Sequence, residues 1–427
     1  MVSSTIERVN ITVSRTRIRS GRRRYRRISQ LENRLQERRR SNTNQADSQN
    51  SQHKRKKSAT EKKGLLERLA EGPVISDGSY CFVLERRGYA TAGFWTPEAV
   101  VENADAVTDL HKEFARAGAD VIQAYTFHAS EDKLAAAGNK AAADFGVTTI
   151  NNEACRLAKE IADQYGTLVA AGLSPTPSYK EGKGKEFVQK EFKMQTDVFT
   201  KHDVDFMIVE FFGHLEEMLW AIEVCKTMGK PIAASMCIGP EGDWDGHSAG
   251  ECAVAMAKAG ADVVGVNCLF DPTISLKAIA VMKEALSTAN LNPYLMCQPI
   301  AYHTPDVNKY GLSESPEYPF ALEPRLLTRW DMHKFAREAH EMGVRYLGGC
   351  CGMESYHIRA IAEELAPERG GRLGAASEKH GLWGESLKGS TASATFKMRV
   401  GKDYWSKEPA TGRPFSPTFS RPLVDPK

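Results

Sequence analysis

The sequence predicts a (β/α)8 barrel, and three observations carry that expectation. Eight short runs rich in β-branched and apolar residues recur between residues 70 and 366. Most are apolar along their whole length, as strands covered on both faces must be. Amphipathic stretches with apolar residues at three- and four-residue spacing separate nearly all of them. Eight such units in about 300 residues match the size of this barrel class. An open doubly wound sheet has a similar rhythm, but no Gly-rich turn follows the first run. Asp77-Gly78-Ser79 is not a dinucleotide fingerprint.

The elements run in order. Val74–Asp77 comes first, then a helical pattern over Pro97–Ala117 opened by Thr96-Pro97. Asp120–Phe127 leads to Glu153–Tyr165, and Leu168–Leu173 to Phe187–Thr200. Val204–Glu210 and Pro231–Cys237 follow, the second running on to Cys252–Gly260. Ala261–Cys268 precedes Ile274–Thr288. Tyr294–Ile300 precedes Trp330–Gly343, with Asp331 early in that helix and Gly343 at its close. Val344–Cys350 and Ser355–Ala366 complete the set.

The 427 residues are 41% hydrophobic and 26% charged, an ordinary globular balance that excludes collagen-like and fully disordered chains. The apolar runs are too short to span a membrane, and no early stretch resembles a secretory signal. A cytoplasmic, reducing setting is expected, in which nine cysteines are thiols rather than a disulfide framework. Charge divides the chain. Residues 1–63 carry 19 Lys and Arg against 5 Asp and Glu, whereas residues 64–427 carry 38 against 49. Any nucleic-acid contact therefore falls to the basic arm alone. That arm is too poor in large apolar side chains to fold by itself. It reads as a solvated extension, as a mitochondrial transit peptide, since Glu7 is the sole acid in residues 1–30, or as a nuclear or RNA-binding segment. After residue 370 the strand–helix rhythm ends, and Trp383, Tyr404, Trp405, Pro414 and Pro417 suggest an oligomerisation arm or a trailing coil. The expected division is a 1–63 extension, a 64–370 catalytic barrel and a 371–427 arm.

In such barrels chemistry sits at the C-terminal ends of the strands. That rule selects Asp77, Phe127-His128, Glu210, Cys237, Cys268 and Cys350-Cys351 together. Three thiols, Cys268, Cys350 and Cys351, would meet at one mouth, and the glycines of Gly348-Gly349-Cys350-Cys351-Gly352 let the backbone turn there. Three thiolates with an open fourth position suit a catalytic zinc. Small buried hydrophobes are the competing reading, which is preferred for Cys81, Cys155, Cys225, Cys237, Cys252 and Cys297. A substrate thiol on such a metal would lose its proton near neutral pH and stay nucleophilic, so thiol alkylation is the chemistry this site suits.

Longer segments point to a family. Gly64–Leu69, Thr96–Ala99, Ala129–Leu134, Cys237–Asp243, Gly265–Pro272, Ala301–Asp306, Gly348–Gly352 and the tail signature Ala376–Gly381 resemble the betaine branch of the homocysteine methyltransferase family. The resemblance runs from about residue 62 to about residue 420. It implies a zinc-containing barrel that moves a methyl group from betaine to homocysteine, giving dimethylglycine and methionine. By this resemblance the zinc ligands fall on Cys268, Cys350 and Cys351, and homocysteine is held by Asp77, Gly78 and Glu210. The family is tetrameric through C-terminal arms, which implies the same for residues 371–427.

The donor pocket departs from the family. Trp95 matches the family's cage tryptophan, and Phe127, His128, Phe211 and Glu317 complete the implied pocket. His128 and Phe211 stand where the family has tyrosines, Leu312 where it has phenylalanine, and Ser79 where it has glycine. Aromatic faces attract a quaternary ammonium by about 0.5–2 kcal/mol each, and His128 could donate a hydrogen bond to the donor's carboxylate, binding it better when protonated. The implied mechanism is direct in-line displacement, with Asp77 and Glu210 orienting the amino acid. A sulfonium donor, S-methylmethionine or dimethylsulfoniopropionate, and a zinc-binding but silent paralogue are the alternatives.

Overall fold

Parallel strands β1 (Val74–Ile75), β2 (Val121–Gln123), β3 (Leu168–Leu173), β4 (Phe206–Phe212), β5 (Ile232–Met236), β6 (Val263–Asn267), β7 (Tyr294–Gln298) and β8 (Val344–Leu347) pair in the order β1-β8-β7-β6-β5-β4-β3-β2. This computed structural model describes residues 62–90, 96–136, 140–385, 393–399 and 404. The basic arm up to residue 61 and Trp95 lie outside the described residues. From Lys63 onward the described residues belong to one compact unit. At the seam between β1 and β2 a carboxylate substitutes for a ladder. The Asp120 N–H donates to Ile75 O at 2.6 Å, and Asp120 Oδ2 accepts from the Ile75 N–H at 2.9 Å. Arg369 and Arg372 pair with the same carboxylate, each at 2.9 Å.

One long helix follows each strand: α1 (Ala104–Ala117), α2 (Lys140–Tyr165), α3 (Lys185–His202), α4 (Leu215–Lys226), α5 (Ala249–Ala259), α6 (Pro272–Thr288), α7 (Arg329–Met342) and α8 (Ser355–Glu364). Their ends follow from local chemistry. Ser248 and Thr328 form capping boxes with Glu251 and Asp331, and Asp271 caps α6 with Pro272 behind it. Two helices differ from the sequence pattern. The stretch expected over 97–117 breaks at Asn103 (φ −134°, ψ 46°), whose side-chain amide donates to Tyr89 O. Helix α2 starts thirteen residues before Glu153 and bends at Gly146, where Glu131 accepts the Val147 N–H and caps the second segment. Helix α4 goes beyond the expected set, although Leu215, Met218, Ala221, Ile222 and Cys225 lie on one buried face at helical spacing.

Side chains alternate along a strand, so every second residue enters the barrel. Val74, Val121, Leu168, Ala170, Phe206, Ile208, Ala233, Val263, Met296 and Tyr346 fill the lower interior, closed below by Leu65 and Leu69. Continuing the alternation upward places Ser76, Gln123, Glu210, Asn267 and Gln298 above this plug. The interior therefore changes from apolar to polar at the strand C-termini. Six of the strands end earlier than their apolar runs, whereas β3 ends as expected and β4 runs on to Phe212, so Asp77, Cys268 and Cys350 sit in the first turns beyond their strands.

Beyond residue 370 the chain stays on the barrel surface for some distance. Gly374 packs against Ala117 and Gly118. Ser377 accepts from Arg359 Nε and donates to Glu363. The Trp383 ring meets the Arg329 and Arg359 guanidiniums at 3.4 and 4.3 Å. No helix among the described residues is long and apolar enough to cross a membrane.

Candidate metal and substrate site

Cys268 follows β6, and Cys350 and Cys351 follow β8 by three and four residues. Backbone bonds fix these turns: Cys268 N–H donates to Gln298 O at 3.0 Å, Cys350 N–H to Pro299 O at 2.9 Å, and Ala301 N–H to Cys351 O at 2.9 Å. The three sulfurs lie within 4.8 Å of one another, with Cys268 Sγ and Cys351 Sγ 3.5 Å apart. Thiolates at about 2.3 Å from a tetrahedral zinc lie about 3.8 Å apart, so the spacing fits. Gly352, at φ +79°, lies under the Tyr302 ring, 2.5 Å from where a Cβ would stand, and any side chain there would displace the cysteine turn. All nine cysteines are free.

Burial opposes ionisation of Cys268, but hydrogen bonds from the Cys350 and Cys351 thiols prevail and hold it well below the usual thiol range. Those same bonds push Cys350 and Cys351 up. The cluster thus favours a thiolate at Cys268 flanked by two thiols, and three such sulfur donors suit a soft cation. The remaining cysteines of the strand ends behave differently. Cys237 and Cys297 are buried, pushed up by that burial, and absent from the cavity wall.

The thiols open onto a cavity lined also by Asp77, Gly78, Gln123, Glu210 and Asn267. Gln123 ties the two carboxylates together. Its N–H donates to Asp77 Oδ2 at 2.7 Å, and its side-chain amide donates to Glu210 Oε1. Asn267 Nδ2 approaches Glu210 Oε2 at 3.3 Å. Burial raises both Asp77 and Glu210 to about 7. Two buried carboxyls without a side-chain cation suit a ligand that brings its own positive charge. Gly78 is constrained by packing: a Cβ there would stand 2.6 Å from Met353 O.

The lining is otherwise largely aromatic and apolar, with Phe82, Tyr125, Phe127, Phe211, Leu312 and Tyr318. The Phe127 and Phe211 rings meet edge to face at 5.4 Å. Phe211 lies at φ +68° beside a register shift in β4, its N–H donating to Asn267 Oδ1. Among the described residues six non-glycine positions have positive φ, and three of them, Phe211, Cys268 and Leu269, line this cavity. Strained backbone concentrates where side chains must be aimed at a ligand.

Two expected donor residues are not brought to the cavity. His128 is absent from the lining, with its ring centroid 4.1 Å from that of Phe127; its backbone N–H donates to Ser174 Oγ. Burial drives its imidazole well below the usual range, which favours the neutral ring over a cationic clamp. Glu317 instead accepts at 2.8 Å from Nε of the buried Arg325, whose guanidinium also pairs with the exposed Asp306. Sequence reasoning missed Gln123, Asn267 and Gln298. Each interrupts an apolar run at the top of an inward-facing row, a signal that period-two reading can find.

The homocysteine S-methyltransferase family model matches residues 74–365. The chain is 56% identical over 363 residues to betaine–homocysteine S-methyltransferase 1 of Mus musculus, covering 84% of this chain and 89% of that protein. It is 51% identical over the same length to S-methylmethionine–homocysteine S-methyltransferase BHMT2 of Mus musculus, covering 84% and 97%. Among solved structures, the metallated homocysteine methyltransferase MmuM of Escherichia coli shares the fold, with a TM-score of 0.52 at 17% identity over 68% of this chain and 95% of that one. By sequence over most of its length, this chain belongs to the homocysteine S-methyltransferase family.

Proposed function

We propose that this enzyme transfers a methyl group from betaine to homocysteine, forming dimethylglycine and methionine, at a zinc ion held by Cys268, Cys350 and Cys351. The convergence of three thiols and two buried carboxylates on one cavity carries this reading. The named activity of the relatives supports the substrate pair. Zinc at the three thiolates, when bound, supplies a soft site that lowers the pKa of a thiol. The chain's own residues do the rest. Asp77 and Glu210, tied together by Gln123, receive the α-ammonium of homocysteine and direct its sulfur toward the cysteines. Phe127 and Phe211, with Trp95 by resemblance, present ring faces to the trimethylammonium and keep water from the reacting methyl. Holding donor and acceptor in line removes much of the entropic barrier of a two-substrate reaction. Residues 371–427 serve oligomerisation in this reading, and the enzyme works in the cytoplasm.

One observation favours a second donor class. Among the described residues no Lys, Arg or His lines the cavity, so a betaine carboxylate meets no cation there. S-methylmethionine carries its carboxylate two carbons farther from the onium centre than betaine does, and beside its own α-ammonium, so that carboxylate need not meet a cation at this wall. Metal analysis combined with methionine formation across betaine and sulfonium donors tests both readings. Methionine from any onium donor in zinc-loaded protein supports the class, and the donor ratio separates the two. Zinc-loaded protein that makes no methionine from any of them rules both out.

A further inference from the structure

Asp77 is held from behind by two residues that no motif points to. Tyr80 Oη donates to Asp77 Oδ2 at 2.6 Å and lies 2.7 Å from His111 Nδ1. A phenol has one proton. Having given it to Asp77, Tyr80 must accept from His111, which fixes His111 as the Nδ1–H tautomer. The buried environment agrees, because it pushes the His111 imidazole down to about 3 and keeps it neutral. His111 Nε2 is buried and has no hydrogen-bond partner, so nothing on its far side competes for the tautomer.

The Tyr80 ring is also immobilised. It stacks on Tyr125 at 5.5 Å and meets Phe114 and His111 edge-on at 5.6 and 5.1 Å. With the Gln123 N–H, Tyr80 places both strong donors on Oδ2 of Asp77, leaving Oδ1 for a ligand in the cavity. We propose that Tyr80 and His111 are positioning residues for homocysteine binding, acting through Asp77 by holding its carboxylate in one rotamer with Oδ1 presented to the substrate ammonium. This rests on the homocysteine reading above. Titratable groups facing Asp77 are Tyr80, Glu210 from β4 and Tyr346 from β8. His111 faces Tyr80 from α1.

The test is homocysteine affinity of the full-length, zinc-loaded protein by titration calorimetry across pH, with no methyl donor present. Tyr80→Phe keeps the ring and removes the donor. It should weaken binding about tenfold, the size of one hydrogen bond to a charged group, and move the acid limb of affinity to higher pH. His111→Leu should do the same more weakly. His111→Asn, whose amide nitrogen overlays Nδ1, should restore wild-type affinity and pH profile. Wild-type affinity and pH dependence in Tyr80→Phe would overturn the proposal, as would equal loss in His111→Leu and His111→Asn. Wild-type protein that binds no homocysteine would instead overturn the functional reading on which it rests.

Discussion

Cys268 Sγ lies 3.5 Å from Cys351 Sγ although 83 residues separate them in the chain. Parallel strands make this possible, because every strand of the barrel delivers its C-terminal end to the same rim. Replacing one thiol should therefore disable the whole site. Cys351→Ala is expected to lose bound zinc and to reduce methionine formation by about 10³-fold or more, given the several kcal/mol that a metal contributes to such chemistry. Metal stoichiometry and turnover on the same sample check this. Full zinc content with unchanged turnover would remove Cys351 from the ligand set.

Glu210 sits at the top of an inward row whose lower members, Phe206 and Ile208, are packed in the barrel plug. Its carboxylate is bracketed by the Gln123 and Asn267 amides. Glu210→Gln keeps the shape but not the charge. It should raise KM for homocysteine about 10–100-fold, the range for a charge-assisted hydrogen bond, and leave the KM for the methyl donor nearly unchanged. Initial-rate kinetics with each substrate varied in turn separate these outcomes, and an unchanged homocysteine KM would remove Glu210 from ammonium binding.

Much of this site can be read without coordinates, for stated reasons. The eight strands are buried on both faces, so their apolar runs stand out, and the rim rule then gathers Asp77, Glu210 and the three thiols. The boundary errors have local causes, such as Asn103 leaving helical geometry and Gly146 bending α2. His128 and Glu317 could not be placed from pattern. His128 takes a positive φ at a strand exit, where no periodicity fixes side-chain direction. Glu317 is drawn to Arg325, a buried guanidinium eight residues away. The Tyr80–His111 contact joins a loop to a helix 31 residues on and needs tertiary structure to be seen.

The two buried carboxyls predict a stability cost. Burial raises Asp77 and Glu210 to about 7 in the folded protein, above ordinary values near 4. A group raised on folding favours the folded state below its unfolded pKa and loses that contribution as pH rises through the folded value. Ligand-free protein should therefore lose thermal stability between about pH 4 and pH 7 from these groups. Glu210→Gln should lessen the loss and raise Tm by about 3 °C or more at pH 8. Calorimetric scans across pH check this, and a Glu210→Gln protein less stable than wild type at pH 8 would contradict it.

His128 is absent from the cavity wall, 4.1 Å from Phe127 and 6.2 Å from Phe211 by ring centroids, and burial pushes its imidazole well below the usual range. The ratio of betaine turnover between wild type and His128→Gln should stay constant between about pH 5 and 8, the range in which an exposed imidazole changes charge. Taking the ratio cancels the carboxylate limb. A ratio that falls as pH rises would return His128 to the role of a cationic clamp.

On the proposed function, Cys268, Cys350 and Cys351 would hold a zinc whose remaining position accepts the homocysteine sulfur. X-ray absorption at the zinc edge, with and without homocysteine, measures this directly. Three sulfur neighbours at about 2.3 Å are expected in the free enzyme and four after homocysteine is added. A shell dominated by nitrogen or oxygen, or a sulfur count that homocysteine leaves unchanged, would contradict it.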